Sequence, residues 1–125
     1  NGGCGGLGGS IVKPIGLSNV KKFKALFGEK IDIIGCGGVS TGLDAFEYIL
    51  SGANAVSVGT QLMREGPRVF NRLKEELIEI MEDKEYKKIT DYKNKINFNN
   101  VNNNVNSDIN NNISNSSLDY SLTMC

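Results

Sequence analysis

The chain has 125 residues, 39% of them apolar and 22% charged, with 14 basic and 14 acidic side chains and no histidine. One domain is the default expectation at this length. The balanced charge gives no electrostatic case for nucleic acid or an anionic membrane surface as partner, and no apolar run approaches the roughly 20 residues of a membrane span.

Six of the first ten residues are glycine, which predicts a loop. Ile11-Val12-Lys13-Pro14 reads as a short extended piece ended by proline. Ser18 is a good N-cap for a helix running to about Phe27, with Val20, Phe23, Leu26 and Phe27 on one face and Gly28 at the C-cap. Residues 31–34 are β-branched at three of four positions and predict a strand. After the loop Gly35-Cys36-Gly37-Gly38, Thr41 and Asp44 form a variant capping box, with Asp in the usual Glu position. The helix they open carries Leu43, Phe46, Ile49 and Leu50 on one face and stops at Gly52. Residues 55–58 predict a second strand. Gly59-Thr60 ends it and leads into a short helical turn over 61–64. A last long helix is expected over 67–83, with Pro67 suited to its first turn.

Strand, loop, helix, repeated, is a βα pattern. A (β/α)8 barrel needs about 250 residues, so residues 1–96 read as an α/β unit supplying the C-terminal portion of a TIM barrel. Composition changes sharply beyond Ile96. Residues 97–125 hold 11 asparagines and five serines in 29 positions, which predicts a low-complexity disordered tail. Asn1, rather than Met, opens the chain, so it reads as a piece of something longer. Cys4, Cys36 and Cys125 are widely spaced, which suits a reducing cytosol better than a disulfide framework. With no histidine and no paired cysteines, no metal site is expected.

Three glycine-rich turns stand where βα loops belong: 5–9, 35–38 and 59–60. Glycine lets backbone N–H groups approach an anion closely, and helix starts add unpaired donors. Two such turns at successive strand ends point to a phosphate-bearing ligand, without saying which. Lys13, Arg64 and Arg68 are candidate phosphate partners, but each reads first as a solvated surface charge.

Gly5-Gly6-Leu7-Gly8-Gly9 followed by Ile11-Val12-Lys13-Pro14 resembles the glycine loop of fumarate-linked, cytosolic dihydroorotate dehydrogenases (class 1A). So do Leu17-Ser18-Asn19-Val20, Ile33-Ile34-Gly35-Cys36-Gly37-Gly38-Val39, Thr41-Gly42-Leu43-Asp44-Ala45-Phe46, Val58-Gly59-Thr60 and Glu65-Gly66-Pro67. The resemblance covers about residues 2–96. It implies an FMN enzyme that oxidises dihydroorotate to orotate in pyrimidine biosynthesis, with fumarate as acceptor and a cytoplasmic homodimer as its complete form. It places Gly9, Gly37, Gly38, Gly59 and Thr60 along the flavin, mainly at its phosphate. Cys36 is expected at the strand end facing the cofactor, as a packed and inert thiol. The catalytic base and the substrate-binding asparagines belong upstream, so no catalytic residue is assigned here and the isolated chain is expected to be inactive. Two alternatives remain at this stage. One is a fragment of another flavin barrel, such as a dihydropyrimidine dehydrogenase-like domain. The other is a truncated phosphate-binding or interaction protein without catalysis.

Overall fold

A computed structural model describes residues 5–95. The expected disordered tail, Cys4 and Cys125 lie outside the described residues. Leu7–Asn97 forms one compact unit, and the structure described below belongs to it.

A 3-10 turn at Ser10–Val12 runs directly into α1, Lys13–Phe27. Residues 11–14 are therefore helical, not extended. Pro14 sits in the first turn of α1, where it has no N–H to lose and its fixed φ suits the helix. Ser18 lies inside α1 and caps nothing. Gly28 ends the helix at φ 59°, as a C-terminal glycine should.

Two short strands follow, β1 (Ile34–Cys36) and β2 (Ala55–Ser57). They pair in parallel with Gly35 opposite Val56, joined through α2 (Gly42–Leu50). The first strand starts three residues later than the sequence suggests. Ile33 is instead anchored at its backbone by Asn54, whose side chain accepts from Ile33 N at 3.2 Å and whose N–H donates to Ile33 O at 2.7 Å. Beyond β2 come α3 (Thr60–Glu65), a 3-10 turn at Gly66–Arg68 and α4 (Val69–Asp83). Sheet and helices follow the α/β order of the sequence.

Side chains alternate across a strand. Gly35 and Val56 face the helices, while Ile34, Cys36, Ala55 and Ser57 face away and are exposed. Cys36 is thus a free and exposed thiol, not a packed one, because it points to the uncovered side of the sheet. The core lies on the other side. Val20, Ile33, Val39, Ala45, Tyr48, Ala53, Val69 and Leu73 form one cluster. Phe46, Ile49 and Tyr92 form a second, with Phe46 and Tyr92 stacked at 4.5 Å between ring centres. Leu43, expected on one face with Phe46, Ile49 and Leu50, is about half exposed.

Tyr48 is fully buried and occupies the centre of this packing. Its hydroxyl is shared between the carbonyls of Gly37 (2.7 Å) and Cys36 (3.1 Å). The ring fills the space under Gly35, where an added Cβ would stand 2.4 Å from Tyr48 Cδ1. Burial pushes the phenol pKa up.

Candidate functional site

The ends of three segments meet at one cleft of about 80 Å³, lined by Gly9, Ser10, Gly38, Val39, Ser40, Thr60, Gln61 and Arg64. The cleft is small, and its polar, glycine-bearing lining suits a phosphate head group. A wider surface groove of about 750 Å³ lies on α4 and the segment after it, lined by Ile78, Met81, Glu82, Glu85, Tyr86 and Lys87. It gathers side chains of both signs and no glycine-rich turn, so it does not compete as an anion site.

Of the five residues expected from the sequence, the cleft brings together Gly9, Gly38 and Thr60. Gly37 and Gly59 flank it. Gly37 packs on Val12 and gives its carbonyl to Tyr48, and Gly59 caps α3. Gly9 and Gly38 hold φ values of 86° and 71°, a region that side chains with a Cβ disfavour. At Gly38 space is also short. An added Cβ would lie 2.8 Å from Lys13 Cβ and 2.9 Å from the Gly9 carbonyl oxygen. The first and second segments therefore touch through Gly38. The third reaches the first at Thr60, whose Oγ1 would stand 3.2 Å from a Cβ at Gly8.

Asp44 locks the middle segment. It accepts from Ser40 N and Ser40 Oγ at 2.9 Å, from Thr41 N at 2.8 Å and from Lys13 Nζ at 2.5 Å. Thr41 Oγ1 accepts in turn from Asp44 N at 3.2 Å, so the capping box read from the sequence is present. Burial alone would raise the Asp44 carboxyl. The bonds from Lys13, Ser40 and Thr41 outweigh it and hold the pKa at about 2. Lys13 is correspondingly no free surface charge, since it also pairs with Glu47 at 2.6 Å. Burial would lower its pKa, and the two carboxylates raise it.

Donors at α2 are spent inside the protein: Thr41 N and Asp44 N in the capping box, and Gly42 N on Glu76 Oε2 at 2.6 Å. The start of α3 has no side-chain cap. Its first N–H groups, like those of any helix, have no acceptor within the helix. Arg64, on the same helix, adds the one full charge of the cleft lining, and no carboxylate lines it among the described residues. A dianionic phosphate therefore fits the donors, the charge and the space. Sequence reasoning missed Ser10 and Ser40, and it set Gln61 and Arg64 on a short turn after the second strand while reading Arg64 first as a solvated charge. No local pattern marks the two serines, which join the site only through the fold.

Comparisons with known proteins bear on the family of the chain. A family model described as dihydroorotate dehydrogenase matches residues 1–81. The chain is 52% identical over 95 residues to a protein of Enterococcus faecalis named "Probable dihydroorotate dehydrogenase A (fumarate)", covering 76% of this chain and 30% of that protein. It is 47% identical over 94 residues to "Dihydroorotate dehydrogenase A (fumarate)" of Lactococcus lactis subsp. cremoris, covering 75% and 30%. Among solved structures it is similar to ligand-free type DHODH from Eimeria tenella, with TM-score 0.69 and 34% identity over 74% of this chain and 26% of that one. The chain spans about three tenths of the length of the curated relatives it matches. By the match to the family model and the fold it shares with that structure, the chain belongs to the dihydroorotate dehydrogenase family.

Proposed function

We propose that this segment is the C-terminal part of an FMN-dependent dihydroorotate dehydrogenase and that its three-segment cleft holds the flavin phosphate. The observation that carries the reading is the convergence of Gly9, Gly38 and Thr60 on one small, carboxylate-free cleft beside Arg64. Backbone N–H groups of the glycine turns, the Thr60 hydroxyl and the Arg64 guanidinium would be the phosphate partners. Gly37 and Gly59 would shape the two turns that bring those donors together.

FMN, when bound, supplies the ring that accepts electrons as dihydroorotate becomes orotate. This segment binds and orients. Its cleft side chains are Ser, Val, Thr, Gln and Arg, none of which is a base suited to taking a carbon-bound proton near neutral pH. That base is assigned to the part of the protein preceding this segment. The relatives' names support fumarate as acceptor and favour this reading over a dihydropyrimidine dehydrogenase-like domain.

The architecture proposed for the complete protein is a (β/α)8 barrel, with the exposed side of β1 and β2 as barrel interior. Parallel sheets are normally covered on both faces, and here one face is bare. A cytoplasmic homodimer completes the proposal. No helix among the described residues is long and apolar enough to cross a membrane.

Expressed together with its upstream sequence, the protein should purify with a flavin absorbance band and form orotate from dihydroorotate with fumarate as acceptor. The 125-residue chain alone, supplied with FMN, should form none. A complete protein that takes up no FMN would refute the reading.

A further inference from the structure

Two of the residues lining the cleft, Ser40 on the loop after β1 and Gln61 on α3, are connected from behind by a residue that does not line it. Arg72 of α4 donates through Nη2 to the Ser40 carbonyl at 3.0 Å and to Glu65 Oε1 at 2.7 Å. Its Nε donates to Glu65 Oε2 at 3.0 Å, and its Nη1 to Glu76 Oε1 at 2.6 Å. Glu65 Oε1 also accepts from Gln61 Nε2. A continuous run of contacts, Ser40–Arg72–Glu65–Gln61, therefore spans the back of the cleft from one lip to the other. Glu76 extends it to the start of α2 through Gly42 N.

The helix at the far end needs such a strap. α3 has six residues and none is buried, so few apolar contacts fix its position. The planar guanidinium suits the task because it meets the Glu65 carboxylate with two parallel bonds while its remaining donors reach Ser40 and Glu76. Lysine offers a point charge and cannot make this fork. Hydrogen bonds from Arg72 and Gln61 hold Glu65 below the usual carboxylate range, so the strap is charged at neutral pH.

We propose that Arg72 is a positioning residue for the flavin phosphate: it touches no ligand, and it sets the distance between the Ser40 lip and the Thr60–Arg64 lip of the cleft. This rests on the reading of the cleft as the FMN phosphate site. Ion pairs as exposed as these contribute little to overall stability. Their loss should show in cofactor affinity rather than in folding.

The test uses the complete FMN-loaded protein and its apoprotein. FMN dissociation constants, from flavin fluorescence, are measured for Arg72→Met, Arg72→Lys, Thr60→Val and the double variant Arg72→Met/Thr60→Val, with apoprotein melting temperatures alongside. Arg72→Met should weaken FMN binding roughly 5- to 20-fold while the apoprotein melts within about 2 °C of wild type. Arg72→Lys should recover only a small part of the loss. The double variant should lose less than the product of the single effects, because the Thr60 hydroxyl reaches the phosphate fully only while Arg72 holds α3 in place. If Thr60→Val weakens FMN binding and Arg72→Met does not, the strap is an ordinary surface ion pair and this proposal fails while the cleft stands. If neither variant changes FMN affinity, the cleft is not the phosphate seat and both fall. Should Arg72→Met prevent folding, Glu65→Gln cuts the α3 end alone, and unchanged FMN binding in that variant overturns the proposal.

Discussion

The starts of α2 and α3 occupy equivalent places in the βα repeat, each just after a glycine-bearing strand end, and they differ in how their leading donors are treated. At α2, Thr41, Asp44 and Glu76 consume the leading N–H groups. At α3 no side chain caps the helix. On the phosphate reading proposed above, a glycine turn before a helix serves an anion only where the protein leaves its donors unspent. The loop before α2 still contributes Gly38, but through the tight fit of its backbone on Gly9 and Lys13 rather than through the helix end.

The hardest break of this comparison is Gly38→Val. It forces a branched side chain into φ 71° and against the Gly9 carbonyl and Lys13. The cost should be about 3 kcal/mol or more of local strain and overpacking, with the flavin absent after gel filtration of the complete enzyme. A full complement of flavin in a folded Gly38→Val protein would mean that the segments do not meet as described. At the open start, Thr60→Val removes one hydroxyl and keeps the backbone. A lost hydrogen bond to a charged group costs about 1.5–3 kcal/mol, so FMN affinity should fall roughly 10- to 150-fold with the apoprotein melting temperature unchanged.

Acid titration probes the closed start. Asp44 has a folded-state pKa of about 2 against an ordinary 3.8, so between these values the unfolded chain binds the proton more readily. The stability it contributes is fully present above about pH 4 and is lost as pH falls through 2. It amounts to about 2 kcal/mol. The gap in unfolding free energy between wild type and Asp44→Asn should shrink by that amount over this range, and a constant gap would show that Asp44 is not held as an anion. The smallest effect belongs to Thr41→Val, the same change as at Thr60 but at the other helix. It should cost about 1 kcal/mol of stability and leave FMN affinity untouched. If it weakened FMN binding as much as Thr60→Val does, the two helix starts would not differ as argued.

What the sequence disclosed follows interaction range. The Thr41–Asp44 box spans three residues, and the last helix, expected over 67–83, was found at Val69–Asp83, so both were legible. Residues 11–18 were misread because a proline and a serine were given their commonest local meanings. Packing overrode them: α1 passes so close to Tyr48 that Gly16, a poor helix former, is required inside the helix. Cys36 lies at its strand end as expected but is exposed in this segment, because burial depends on which side of the sheet is covered, and two strands do not state that. Arg72 was invisible for a simpler reason. Its partners Ser40 and Glu65 lie 32 and seven positions away, and no periodicity links them.

Tyr48 carries a consequence for how this stretch of sequence can drift. An added Cβ would lie 1.9 Å from the phenol oxygen at Gly16, 2.4 Å from the ring at Gly35 and 3.6 Å from that oxygen at Gly37. One aromatic ring thus acts as a mould against which an α-helix, a strand and a loop are cast, and the first two must be glycine for as long as the ring is there. A smaller residue at 48 would release position 35 but would strip the Cys36 and Gly37 carbonyls of their shared donor. Position 16 would still meet the Cys36 carbonyl, 2.7 Å from an added Cβ. Positions 35 and 48 should therefore be inherited as a pair, with Gly16 kept whatever stands at 48.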